Sequence, residues 1–170
     1  MILFDELPAS ARLWTFGCSR TLDETEEREL AQCVELFLAG WAAHGVLLTS
    51  GWDWRYHQFL FVAADQSNTD PSGCSIDALV ESIRTLQTRL GVEFLDHGPV
   101  FYRKDDSVVR VSRAKFSQLA HDSVVDLDTV VFDNTIQSVG ELRSGRWEVA
   151  AKDSWHSRAF FAAAPASRSG

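Results

Sequence analysis

Two short stretches of this chain concentrate side chains able to do chemistry. The first is Gly73-Cys74-Ser75-Ile76-Asp77, which sets a thiol, a hydroxyl and a carboxylate at the point where a polar loop gives way to an amphipathic helix. Unpaired backbone N–H groups and the positive end of the macrodipole gather at a helix start, where they favour anions and a thiolate. A structural reading competes: Ser75 as N-cap, Asp77 complementing the dipole from the first turn, Gly73 permitting tight entry and Cys74 packing as a small hydrophobe. The second stretch is Lys152-Asp153-Ser154-Trp155-His156-Ser157-Arg158. His156 is the natural acid–base group at neutral pH, and Asp153 is placed to orient it. In an extended segment Ser154, His156 and Arg158 share one face and converge on a ligand, while Trp155 anchors the other side. Here the competing reading is a docked C-terminal strand whose tryptophans close the core. Cys74 as nucleophile with His156 as base is the minimum for thiol catalysis, provided folding brings them together. A third stretch, Trp52-Asp53-Trp54-Arg55-Tyr56-His57, reads equally as a stacking surface or as core.

Several functions are excluded. The five histidines, at positions 44, 57, 97, 121 and 156, form no HxH or HExxH pattern, and the cysteines, Cys18, Cys33 and Cys74, form no CxxC. No metal and no cofactor are therefore expected. Asp126-Leu127-Asp128-Thr129-Val130 resembles the opening of a haloacid-dehalogenase phosphatase, but the forty residues after it leave no room for the later motifs. No GxxxxGK[ST] loop exists, so the chain is not a P-loop ATPase. No arginine stands six positions after Cys74 or Cys18, which removes the cysteine-phosphatase loop. A formal charge of −8, with 24 acidic against 16 scattered basic residues, argues against nucleic acid as a partner. No apolar run is long enough to span a membrane, and the start, Met-Ile-Leu-Phe-Asp-Glu, lacks the regions of a secretory signal. A cytoplasmic protein with reduced thiols is expected.

The elements that must position these residues follow from periodicity. Arg12 to Cys18 reads as a strand. Thr21-Leu22-Asp23-Glu24 matches a capping box, and Leu30, Val34, Phe37, Leu38 and Trp41 then recur at helical spacing, giving a helix over 22–43. Strands over 46–50 and 56–63 form a hairpin whose turn is 51–55. A second helix carries Ile76, Leu79, Val80, Ile83, Leu86 and Leu90 on one stripe and stops at Gly91. A strand over 99–103 follows, then a return strand over 108–111, a short helix over 113–121 and a strand over 129–132. The order β-α-β-β-α-β predicts a ferredoxin-like core within one α+β domain, residues 1–161. Both faces of its central strands are apolar, so a C-terminal β-rich extension, a second copy or a ligand must cover the second sheet face. Residues 162–170 read as a disordered tail.

Trp41-Ala42-Ala43-His44-Gly45, the GCSID stretch and the KDSWHSR stretch together resemble a small family of bacterial proteins often labelled "ABC transporter ATPase", over roughly residues 4–161. The chain has no phosphate-cradling loop, Walker-B carboxylate or signature segment, so the resemblance implies neither that activity nor any catalytic residue. The residues themselves point to a small ligand-binding or regulatory module for a small or anionic molecule. Its expected site lies between the Cys74 helix start and the His156 segment. A cysteine-dependent enzyme and a homodimer formed through the sheet face are the alternatives.

Overall fold

The computed structural model describes residues 1–161; the expected tail, 162–170, lies outside the described residues. In chain order the elements are β1 (Arg12–Gly17), α1 (Glu24–Gly40), β2 (Ala42–Ala43), β3 (Val46–Leu47), β4 (Ser50–Arg55), β5 (Phe59–Ala64) and α2 (Gly73–Leu90). After these come β6 (Val100–Lys104), β7 (Ser107–Val111), α3 (Arg113–His121), β8 (Val130–Phe132), α4 (Val139–Arg143), β9 (Glu148–Ala150) and α5 (His156–Phe160). The fold is α+β with antiparallel sheets, and the chain divides into two compact units. The first comprises Met1–His97 and Asn134–Ser144; the second comprises Gly98–Asp133 and the chain from Gly145 onward.

In the first unit three strands pair antiparallel in the order β1-β5-β4. Leu30, Val34 and Leu38 of α1 and Leu79, Ile83, Leu86 and Leu90 of α2 recur every three or four residues, so each helix buries one stripe. Both stripes meet Phe16, Leu60 and Val62 of the sheet in one core. Each such side chain, fully buried, stabilises the fold by roughly 1.5–3 kcal/mol. Asp23, not Thr21, caps α1: its carboxylate accepts from the Thr25 and Glu26 N–H groups, and Glu26 reaches back to the Asp23 N–H at 3.0 Å. The box sits two residues later than expected because Asp23 and Glu26 supply carboxylates to both exchanges, and Arg20 braces Glu26 from outside at 2.7 Å. That side-chain hydrogen bond, followed by the one from the Asp23 backbone, draws the Glu26 carboxyl down to about 2.

The hairpin is displaced from its expected place. Val46 and Leu47 are exposed and pair only with Ala42 and Ala43, around His44 and Gly45, whose φ angles are 53° and 79°. The aromatic stretch expected as a turn is strand β4, and the reversal falls on Tyr56 and His57, both left-handed at φ 54° and 53°. Alternation explains this: Trp52 and Trp54, two apart, share the face that packs on the helical core, and aromatic side chains favour a pleated surface over a turn. A stacking platform is thereby lost, since the Trp54 indole N–H donates to Glu27 at 2.7 Å and its ring meets Phe94.

In the expected ferredoxin-like arrangement the sheet is antiparallel, the third strand lies between the first and second, and a fourth strand lies beside the first. Here β1, β5 and β4 keep that order and direction, but the expected fourth strand, β6, pairs with β7 and β8 in the other unit's sheet, ordered β7-β6-β8-β9. β1 is therefore an edge strand. The face of the first sheet that carries Gly51 receives the N-terminal segment: a Cβ on Gly51 would lie 3.0 Å from the Ile2 carbonyl oxygen and 3.3 Å from Leu7. Within the second unit, Val100, Tyr102, Phe116, Val125, Val131 and Ala151 form the core.

Candidate functional site

At the start of α2, Ser72 rather than Ser75 is the cap, its hydroxyl accepting from the Ser75 N–H at 3.2 Å. Ser75 is turned inward and buried: its hydroxyl donates to the Ser72 carbonyl at 2.8 Å, and its own carbonyl accepts from the Trp41 indole at 2.8 Å. Ser75 thus serves packing, where it was expected to face a ligand. Asp77 is exposed and stands beyond the first turn, which holds no acidic residue. Cys74 is exposed and borders a shallow hollow with Ser72, His44 and Trp41.

The segment at His156 is not extended. Ala151–Asp153 form a 3-10 turn and α5 begins at His156, so Ser154, His156 and Arg158 do not line one face of a strand. His156 is buried, 1% exposed, while Asp153 and Arg158 are exposed. Ser154 Oγ lies 2.8 Å from His156 Nδ1, the Trp155 ring stacks on the imidazole at 3.9 Å, and the Arg113 guanidinium sits over the Trp155 ring at 4.9 Å. Burial pushes the imidazole down to about 4; Asp133 pulls it up and Arg113 pushes it further down. The carboxylate that acts on His156 is thus Asp133, where Asp153 was expected. The structure brings Ser154, Trp155 and His156 together within the second unit, whereas Cys74, Ser75 and Asp77 belong to the first.

A third place was not singled out from the sequence. Along the free edge of β1 runs a cavity of about 650 Å³, lined by Arg12 to Phe16, by Val80 and Arg84 of α2, by Leu95 and His97, and by Asn134 to Gln137. All of these residues belong to the first unit. This volume falls in the range of small-molecule sites. The lining includes two arginines and a histidine and, among the described residues, no carboxylate, although the whole chain carries −8. The Arg12 guanidinium lies over the Trp14 ring at 4.9 Å and, among the described residues, makes no ion pair. Arg84 meets Glu81 at 3.2 Å on the exposed side of α2. Thr15 is 6% exposed, yet its hydroxyl finds no hydrogen-bond partner. That oxygen is closed off from the cavity, so it is the Thr15 backbone that borders the cleft.

The signal in the sequence was an arginine opening an otherwise largely apolar strand. Among the described residues, no group of three or more His, Cys, Asp or Glu side chains is arranged to hold a metal ion, and no helix is long and apolar enough to cross a membrane. No protein-family model, no curated protein and no solved structure matches the chain.

Proposed function

We propose that this protein is a ligand-binding module whose site is the cleft along β1, taking a small molecule that carries at least one carboxylate or phosphate. The Arg12 guanidinium, without an ion pair among the described residues, at a cleft whose lining holds no carboxylate carries the reading. Arg12 supplies a positive charge held in place by Trp14 and uncommitted to any carboxylate among the described residues. Trp14 and Leu95 supply apolar area, and Arg84 and His97 extend the basic rim. This moves the binding function expected between Cys74 and His156 to a cleft that neither of those residues lines.

Thermal-shift measurements with sodium salts of mono-, di- and tricarboxylic acids, glutamate and inorganic phosphate test it. At least one should stabilise the wild type and fail to stabilise Arg12→Ala. Thr15→Val should be more stable than wild type by about 1 kcal/mol, because it removes an unsatisfied buried hydroxyl at nearly constant volume. An Arg12→Ala protein that binds every compound as the wild type does would refute the assignment.

A further inference from the structure

We infer that the occupant of the cleft is an extended, acidic peptide segment of about three residues that adds to the edge of β1 as a further strand. This rests on the cleft being a binding site and names its partner class. The first observation is the phase of the ladder. The Cys18 N–H donates to the Gln58 carbonyl at 2.8 Å, which continues the β1–β5 register and makes the even positions of β1 the ones bonded to β5. The odd positions, Leu13 and Thr15, turn their N–H and C=O groups away from β5, toward the cleft.

One of these is already satisfied in the manner of a strand. The Leu13 N–H donates to the Gln137 carbonyl at 2.9 Å, the Val139 N–H donates to the Ala11 carbonyl at 3.0 Å, and Arg12 and Ser138 form an antiparallel bridge. Strand pairing on this edge therefore begins, then stops. To continue it, the Gln137 N–H would donate to Leu13; it is instead taken by the Glu141 carboxylate at 2.9 Å. Among the described residues, the Thr15 N–H and C=O and the Leu13 C=O are left facing the cavity, which follows β1 for the five residues Arg12 to Phe16. With Arg12 already bridged to Ser138, the open part runs from Leu13 to Phe16, roughly 10 Å at about 3.3 Å per residue, enough for three residues of extended chain.

This is the position that the expected fourth strand would have filled and that β6 leaves by joining another sheet. Free edges invite strand addition, and main-chain bonds from such an edge bind any extended peptide, with side chains adding selectivity. Charge supplies the selectivity here. Arg12, Arg84 and His97 border the cleft, whose lining holds no carboxylate among the described residues. There Arg12 makes no ion pair while Arg84 meets Glu81, so carboxylate side chains on the incoming segment would be matched chiefly at Arg12 and lysines repelled.

The test uses the full chain and fluorescein-labelled five-residue peptides, capped at both ends, alternating Glu with Val, Leu or Tyr. Binding is read by fluorescence anisotropy. At least one peptide should bind, and its Lys-substituted counterpart should bind at least tenfold more weakly. Because a slip of one residue would turn every side chain to the opposite face, the alternating pattern fixes the register. N-methylation of one alternate set of backbone nitrogens should then weaken binding at least tenfold, and methylation of the other set less than twofold. Arg12→Ala and, separately, Arg84→Ala should each weaken binding threefold or more; Arg84 is exposed, so its removal leaves the fold intact. Equal tolerance of both methylated sets, or no binding by any acidic peptide at 1 mM, would overturn strand addition. If carboxylates or phosphate still stabilise the wild type through Arg12, the cleft survives as a small-molecule site; if they do not, both readings fall.

Discussion

His156 should make the stability of this protein depend on pH in a defined window. Its imidazole is 1% exposed and its folded value stands at about 4, against an ordinary value of 6.5, chiefly because burial disfavours the charged ring. Asp133 and Arg113, the charged groups that act on it, pull in opposite directions. Since the folded value lies below the unfolded one, the unfolded chain takes up the proton first as pH falls. The stabilisation is whole above pH 6.5, shrinks as pH drops through the interval, and is gone below about 4, where both states are protonated. Each tenfold difference in proton affinity between the two states corresponds to about 1.4 kcal/mol, so the interval carries up to about 3 kcal/mol. The comparison is wild type against His156→Gln, whose neutral amide keeps a polar group near Ser154. Urea unfolding, followed by tryptophan fluorescence at pH 7.5, 6.5, 5.5 and 4.5, gives the stability difference between the two. That difference should be constant above pH 6.5 and should then move by about 1 kcal/mol per pH unit in favour of the variant. A difference that stays flat to pH 4.5, or an imidazole resonance titrating near 6.5 in the folded protein, would refute the reasoning.

Thiol reactivity and a helix cap offer two further checks. Cys74 is exposed, whereas Cys18 is buried and its thiol is pushed up by that burial, so a thiol-specific reagent at pH 7.5 should modify Cys74 first and reach Cys18 only on unfolding. Loss of the fast phase in Cys74→Ser assigns it, and native-rate labelling of Cys18 would contradict its position under the sheet. Ser72→Ala should cost about 1 kcal/mol by leaving the Ser75 N–H uncapped, measured by urea unfolding; an unchanged midpoint would show that α2 is capped by other means.

The parts of this fold legible in the sequence were those governed by local periodicity. The stripes of α1 and α2 were readable because Leu30, Val34 and Leu38, and Leu79, Ile83, Leu86 and Leu90, repeat at the helical period wherever the chain goes afterwards. Gly91 ends α2 as expected, with φ 62°. The pairing of strands was not legible in the same way. A two-residue ladder at Ala42–Ala43 and Val46–Leu47 is too short to leave a period, yet it shifts the second strand onto Ser50–Arg55, and β6 leaves the first sheet for another. Tyr56 and His57 carry no glycine to mark the tight turn they make.

The candidate residues divided along the same line. Cys74 and His156 were conspicuous by type, but a residue's type does not say whether its neighbours will bury it. His156 is sealed beneath Trp155 and Phe116, and the edge position whose backbone borders the cleft is Thr15, which no motif distinguishes. Its significance depends on which strand edge stays open, a long-range outcome that no short stretch of sequence encodes.

The first unit is not made from one continuous stretch of chain, and this bears on how the protein is born. Residues 134–144 belong to it, and Arg143 holds the Phe4 and Asp5 carbonyls at the opposite end of the sequence. A nascent chain on the ribosome can assemble the two long helices against their sheet early, but it cannot fasten Phe4 and Asp5 until Arg143 has been added. Release of a fragment ending near residue 97 would leave Leu13 without Gln137 and the N-terminal segment without its clasp, so such a fragment should be a target for proteases rather than a free-standing domain.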